Sequence, residues 1–182
     1  MENNTINFLG LAVMDNNKMT ELINRNDCNG FLYLLLKKAT DNKAIYDMNN
    51  KNTVYSVKTT LQKRKIKTNY VNKKVNIDID LNLSIQLQYQ YRAELLNESI
   101  IKELEDEVAK EVKKEVLCAV NRSQRELKVD IFEFARFFKS DNPKAYKEIN
   151  WREEYPNANI NVNVKAKIKN INLINPNNKK KY

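Results

Sequence analysis

The chain of 182 residues contains 42% hydrophobic and 30% charged residues, which is ordinary for a soluble globular protein and fits one domain. It has no His and only two Gly, Gly10 and Gly30, which excludes His-based acid–base or metal chemistry and a glycine-rich phosphate loop. The formal net charge of +9 makes an anionic surface or a nucleic acid a candidate partner. No run approaches the roughly 18 apolar residues of a membrane span, so we expect this chain alone to be soluble.

The first elements in chain order are predicted strands. The segment NFLGLAVMDNNKMTELI is apolar on each side of Asp15, Asn16 and Asn17, which favour tight turns, and predicts a hairpin with arms near 7–14 and 18–24. The apolar run GFLYLLLKK, residues 30–38, predicts a third, buried strand. A polar stretch at 39–52 then interrupts the pattern.

Strict alternation of apolar and polar residues predicts one long strand at 75–91, VNIDIDLNLSIQLQYQY, with a buried face and a solvent face. At about 3.3 Å per residue this strand would span roughly 55 Å, so we expect it to bend, to bulge near 81–84 or to end early. The segment from Thr53 to about Lys67 should pair with it in a long twisted hairpin, with the turn in NYVNKK at 69–74.

A long amphipathic helix is predicted near 98–128, with Asn97 as its N-cap. Its apolar residues recur at spacings of three and four and form one stripe, consisting of Ile101, Leu104, Val108, Val112, Val116, Ala119 and Val120. The helix can lie along the long hairpin, so that each element covers the buried face of the other.

The remaining segments complete a predicted α+β fold. The aromatic stretch from Asp130 to Asn157 predicts two short helices, the second starting at Asn142 and Pro143. NANINVNVKAKIKN alternates again and predicts a final strand of the same sheet. We therefore expect an antiparallel β-sheet with one long helix packed across it and short aromatic helices at one end. This single α+β domain would cover 1–174, followed by a basic flexible tail at 175–182.

Several of these segments, in this order, resemble one known family. DIFEFARFF at 130–138, NPKAYKEI at 142–149, Trp151, YPN at 155–157 and INVNVKAKI at 160–168 are similar to the C-terminal domain of the C-subunit lipoproteins of bacterial spore germinant receptors, the GerAC family. The helix EVKKEVLCAVNRSQREL and the opening FLGLAVMDNNKM are similar to the same family. The resemblance covers about residues 6–170.

The resemblance implies a function and a location. GerAC-family subunits are exported, lipidated at an N-terminal Cys and held at the outer face of the spore inner membrane, where they act with integral-membrane A and B subunits in nutrient-triggered germination. This chain would then be the non-catalytic C-terminal domain of a larger lipoprotein, with no enzymatic activity and no cofactor. A nucleic-acid-binding α+β domain is the alternative that the charge suggests. The solvent positions of the strands lack the aromatics typical of nucleic-acid sheets, so we expect no nucleic-acid partner.

The predicted hairpin places six basic residues near its tip, and these are the candidate interaction residues: Lys63, Arg64, Lys65, Lys67, Lys73 and Lys74. They either form a solvated surface or face anionic lipid head groups or an acidic patch on a partner. Phe132, Phe134, Phe138, Trp151 and Tyr155 are expected in the core rather than in a docking surface. Glu103, Asp106, Glu107 and Glu111 are expected on a solvated helix face. Cys28 and Cys118 lack the close pairing of a zinc or redox motif and are expected to be reduced and partly buried.

Overall fold

A computed structural model describes residues 9–15, 17–27, 29–46, 53–90 and 96–171. The first elements are two antiparallel strands, β1 (Gly10–Asp15) and β2 (Lys18–Asn24), which form a sheet of their own. This is the predicted hairpin, and the part of its first arm before residue 9 lies outside the described residues. Gly10 is required there, because a Cβ at this position would lie 2.0 Å from the carbonyl oxygen of Ile23.

The prediction of a third strand at 30–38 is wrong, because the structure has helix α1 (Asn29–Leu35) there. The run GFLYLLL is apolar enough to be a buried strand or a buried helix, and a short run of this kind has no periodicity that separates the two. Gly30 decides the packing of α1. A Cβ on Gly30 would lie 2.1 Å from the backbone oxygen of Glu115 and 3.1 Å from the Cβ of Ala119, so only a glycine permits this approach of two backbones.

Strand β3 (Thr40–Tyr46) follows. The sequence does not predict this strand, which lies in the polar stretch at 39–52. β3 pairs antiparallel with β4 (Val54–Val71), from Tyr46 opposite Val54 to Thr40 opposite Thr60. Only Lys43 and Ile45 of β3 are buried, which explains why its alternation is hard to recognise.

The long hairpin consists of β4 and β5 (Lys74–Gln90). Its turn is Asn72–Lys73, where both residues have positive φ, 52° and 57°, as a two-residue type I′ turn requires. In β5 every odd position from Val75 to Leu87 is buried, as predicted, whereas Tyr89 is exposed and Tyr91 lies outside the described residues. The alternation of β5 is unbroken, so the bulge expected near 81–84 is absent there.

Helix α2 (Glu98–Asn121) is the predicted long helix. Asn97 caps it, since its Oδ1 accepts a hydrogen bond of 2.9 Å from the backbone N–H of Ile100. The predicted apolar stripe is buried from Leu104 to Val120, and Ile101 is half-buried. The helix continues as a π-helical turn (Arg122–Leu127), which ends at Lys128 in the left-handed conformation with φ 53°.

The aromatic segment forms three short helices, α3 (Phe134–Asp141), α4 (Pro143–Glu148) and α5 (Trp151–Glu154), followed by a 3₁₀ turn (Tyr155–Asn157). Asn142 and Pro143 start α4, as predicted. The side chain of Asn142 does not cap that helix, however. Its Nδ2 donates instead to the backbone oxygen of Thr68 in β4, at 3.1 Å, while the backbone N–H of Thr68 donates to Asp141 at 2.9 Å.

Strand β6 (Asn159–Ile171) is the predicted final strand, and the sheet has the order β3-β4-β5-β6. Three side-chain hydrogen bonds join β6 to β5, from Asn159 to Asn76, from Asn161 to Asp78 and from Asn163 to Asp80. Their constant separation of 83 residues means that β6 runs parallel to β5. The long connection through the helices makes this possible, since parallel neighbours need a crossover.

The α+β fold with an antiparallel sheet, one long helix and short helices is confirmed, and β6 adds a parallel pairing to it. The chain divides into two compact units: a first unit of 1–35, 66–78 and 115–161, and a second unit of 36–65, 79–114 and 162–182. The first unit has an aromatic core that includes Phe31, Phe134, Phe138 and Tyr155. The second unit has an aliphatic core from β4, β5 and α2, with Val57, Leu81, Leu87 and Val108 fully buried. The single domain of 1–174 stays a prediction, and 175–182 lies outside the described residues.

Candidate interaction surface

Buried and exposed side chains alternate along β4, and this alternation changes phase once, which determines which residues face solvent. Odd positions are buried up to Leu61, then Gln62 and Lys63 are both exposed, and from there the odd positions Lys63 and Lys65 face solvent. At this change of phase, the side chain of Gln62 is bonded to β5, because its Nε2 donates a hydrogen bond of 2.9 Å to Ser84 Oγ. An extra residue in one strand of a pair has this effect, so the bulge of the long hairpin lies in β4.

Exposed lysines of β6 share the solvent face in the second unit. The hydrogen bond from Asn163 to Asp80 places Asn163 on the solvent side of β5, and the period of two puts the lysines that follow on the same side. We call this set the basic face: Lys63, Lys65, Lys165, Lys167 and Lys169, all of which are exposed. Strand β5 between them contributes Asp80, Asn82, Ser84 and Gln86.

One lysine of the basic face is already engaged. Lys167 Nζ lies 2.7 Å from Oε2 of Glu105 in α2, and the other carboxylate oxygen accepts a hydrogen bond of 2.8 Å from the backbone N–H of Ile168. This hydrogen bond and the negative charge of Glu105 raise the pKa of Lys167. Glu105 therefore binds the edge strand twice, and its own side chain is buried.

The other lysines of the basic face have no such partner. Within the described part of the chain, Lys63, Lys65, Lys165 and Lys169 form no ion pair. The carboxylate of Asp80 accepts a hydrogen bond from Asn163, and it lies in the row between β4 and β6. The face thus combines several solvated ammonium groups with amide and hydroxyl side chains.

The six predicted interaction residues do not all share this surface. Arg64 lies on the opposite side of β4, is half-buried, and donates from Nη1 to the backbone oxygen of Leu36 at 3.1 Å. Burial lowers its pKa. Lys63 and Lys65 precede the turn by nine and seven residues and belong to the second unit. Lys67, Lys73 and Lys74 are exposed in the first unit, where Lys73 is part of the turn. The role of all six stays a prediction.

A polar groove of about 400 Å³ lies in the first unit and is lined by Asp15, Thr20, Glu21, Glu126, Lys128 and Arg152 among others. Arg152 forms an ion pair with Asp15. Next to the groove, Arg122 lies within 3.5 Å of carboxylate oxygens of Glu21, Asp27 and Glu126. Both arginines of this region are therefore paired with carboxylates.

The aromatic residues of the first unit form its core, as expected. Phe132, Phe134, Phe138 and Tyr155 are buried and Trp151 is half-buried. Asp130 organises them, since it accepts hydrogen bonds from the backbone N–H groups of Phe134 and Ala135 and from Trp151 Nε1 at 3.0 Å. Burial raises the pKa of Asp130, and these hydrogen bonds oppose the rise.

Two buried polar side chains of the π-helical turn also belong to this core. Ser123 Oγ lies 2.6 Å from the Tyr155 hydroxyl and donates to the backbone oxygen of Val129. Gln124 Nε2 donates to the backbone oxygens of Tyr155 and Ala158, at 2.8 and 2.9 Å. Burial raises the pKa of Tyr155. These contacts satisfy buried polar groups, which is a structural role.

The remaining candidate residues are on the surface. Glu103, Asp106 and Glu111 are exposed and Glu107 is half-buried, as expected of a solvated helix face. Cys118 is a free thiol and is exposed rather than partly buried, and Cys28 lies outside the described residues.

In the parts of the chain that the structure describes, no group of three His, Cys, Asp or Glu side chains could hold a metal ion. No described helix is both long enough and apolar enough to cross a membrane.

Comparison with known proteins places these elements in a family. Residues 9–172 match the family model described as "Spore germination B3/GerAC like, C-terminal". A solved structure titled "Crystal Structure of the GerBC protein" has the same fold, with a TM-score of 0.69 at 16% sequence identity, and the match covers 84% of this chain and 48% of that chain. The chain thus spans about half the length of that protein. No curated protein matches the sequence.

Proposed function

Since this chain belongs to the GerAC-like C-terminal family of spore germination proteins, we propose that it is a non-catalytic interaction domain of a spore germinant receptor C subunit. In this role it acts with the integral-membrane A and B subunits in nutrient-triggered germination. The observation that carries the proposal is the extent of the family match, which takes in every element from β1 to β6. The shared fold with the GerBC protein supports it.

The proposal includes a location. In the full-length protein, a lipid anchor holds this domain at the outer face of the spore inner membrane. The solved GerBC protein is about twice as long as the part matched here, which is consistent with a domain that works as part of a longer subunit.

The side chains support binding by a surface rather than catalysis. The two arginines in and beside the groove of the first unit, Arg152 and Arg122, are paired with carboxylates, and the polar residues of the aromatic core satisfy backbone groups. In the second unit, four lysines that form no ion pair in the described part of the chain project into solvent from an open sheet face: Lys63, Lys65, Lys165 and Lys169. A flat, charged surface of this kind suits contact with a large partner.

The test is germination of spores that lack the gene for the full-length protein. The deletion is made in a strain without other germinant receptor genes, so that no second receptor can respond. We expect dipicolinic acid release in response to nutrients to be lost, and to be restored by the full-length wild-type gene but not by a version without residues 9–172.

Two controls accompany this experiment. Spores of every strain should still germinate with a chemical trigger that bypasses receptors, and immunoblots should show that the truncated protein accumulates. A nutrient response that is unchanged in the deletion strain would contradict the proposal.

A further inference from the structure

The basic face contains four exposed lysines that form no ion pair in the part of the chain that the structure describes. Its four free lysines, Lys63, Lys65, Lys165 and Lys169, stand on β4 and β6 with β5 between them. Neighbouring strands lie about 4.8 Å apart, so the two rows of lysines are separated by roughly 10 Å. The ammonium groups are thus spread over a sheet surface rather than gathered around one point.

The side chains between the lysines narrow down the kind of anion. Between the lysines, β5 presents Asp80, Asn82, Ser84 and Gln86, and none of these side chains has an aromatic ring, while the exposed Tyr89 lies near the end of the strand. Single-stranded nucleic acids are held on sheets by base stacking on exposed aromatics, and no aromatic side chain stands among the described positions between the lysines. Arginine, which binds phosphate or carboxylate in a fixed bidentate geometry, is also missing, because Arg64 is turned to the other side of the strand.

Lysines without a directional partner suit a surface that presents many phosphates without a fixed pattern. We propose that the basic face binds the surface of a bilayer rich in anionic phospholipids and holds this domain against the membrane. Each lysine close to such a surface strengthens binding by about fivefold. The proposal adds a binding surface to the proposed function. It rests on that function only for the identity of the membrane that is bound.

The experiment measures co-sedimentation of the 182-residue chain with vesicles. One set consists of phosphatidylcholine alone and the other also contains phosphatidylglycerol, at low and at physiological salt. The test variant is Lys63→Gln/Lys65→Gln/Lys165→Gln/Lys169→Gln. The matched control, Lys102→Gln/Lys110→Gln/Lys113→Gln/Lys114→Gln, removes the same charge from exposed positions of α2 in the second unit. Both variants keep the lysines at 179–181, so the basic tail contributes equally.

We expect wild type to bind only the anionic vesicles, and to bind them more weakly as salt rises. The partition coefficient of the test variant should fall at least about tenfold, because four contributions of this size are removed. The control variant should fall much less. Circular dichroism spectra of both variants should match that of wild type.

Three results would overturn the proposal: no binding of wild type to either vesicle, equal binding to both, or an equal loss in the two variants. Displacement of the protein from vesicles by an equimolar single-stranded oligonucleotide would overturn it as well, in favour of nucleic acid. None of these results depends on spores. Failure here therefore leaves the germination experiment to decide the proposed function separately.

Discussion

Gly30 is the residue whose replacement the structure constrains most. Its missing side chain lets α1 approach the backbone of α2 at Glu115, where a Cβ would lie 2.1 Å from a carbonyl oxygen. A backbone atom cannot rotate away as the end of a side chain can. Glycine in a helix costs about 1 kcal/mol relative to Ala, and the close packing of α1 against α2 outweighs this cost here.

We expect Gly30→Ala to lower the free energy of unfolding by about 2 kcal/mol, because the clash outweighs the gain in helix propensity. For a chain of this size the melting temperature should fall by about 5 °C. The measurement is thermal unfolding followed by circular dichroism. Leu35→Ala, at an exposed position of the same helix, is the control and should change the melting temperature much less. A stabilised Gly30→Ala protein would mean that the two helices do not touch at this point.

Residue chemistry also explains what sequence reasoning could find in the candidate surface. Lys63, Lys65 and Lys67 were identified by charge alone, and all three are exposed. Arg64 was included for the same reason, although the strand turns it away from them. Glu105 was missed, because a carboxylate on a charged helix gives no sign that it binds a strand edge until Lys167 and Ile168 are seen beside it.

At the scale of elements, the sheet has to protect strand edges that lack a neighbour. β3 pairs with β4 only as far as Thr60, so the backbone of β4 beyond that point needs other partners. At Thr68 these are Asp141, which accepts from the backbone N–H and from Oγ1, and Asn142, which donates to the backbone oxygen. At Thr68, the junction of α3 and α4 thus supplies the hydrogen-bond partners that a neighbouring strand would otherwise supply.

We expect Asp141→Ala to destabilise the protein by about 1–3 kcal/mol, since it leaves the buried N–H of Thr68 without an acceptor. Amide exchange at Thr68 should become faster, while the amides of β5 change only in line with the loss of global stability. Ser140→Ala, at the neighbouring exposed position, is the control and should leave both stability and exchange nearly unchanged. Unchanged exchange at Thr68 in Asp141→Ala would mean that this hydrogen bond does not protect the edge.

Elements differ in how far the sequence predicts them. β5 and α2 were predicted with their buried positions, because each has a long run with one clear period. The sequence does not distinguish α1 from a strand, because seven nearly apolar residues have no period. It does not reveal β3, because only Lys43 and Ile45 are buried there and the strand therefore has no apolar alternation. The parallel pairing of β6 depends on a partner that is distant in sequence, so local alternation gives no information on its direction.

At the scale of the molecule, the two compact units share continuous elements. β4, β5, α2 and β6 each contribute residues to both units. Unfolding of one unit alone would have to interrupt three strands and a helix in the middle of their hydrogen-bonded runs. Cooperative behaviour is therefore expected, in line with the predicted single domain.

We predict one unfolding transition. Trp151 is the sole Trp of the chain and lies in the first unit, so its fluorescence reports on that unit, while far-UV circular dichroism reports on all helices and strands. The two curves should coincide in denaturant, and the calorimetric and van't Hoff enthalpies should agree. Two separate transitions would show that the units fold independently and that the single-domain prediction is wrong.

The bulge at Gln62 and Lys63 means that β4 contains one residue more than its pairing with β5 requires. Loss of one residue at this point would remove the bulge, and the stretches on either side would keep their partners and their faces, so the lysines that follow would still face solvent. A relative without this residue should therefore show unbroken alternation through this part of β4, with its basic residues on the solvent face. An alignment that ignores the gap would assign those residues to the buried side of the sheet.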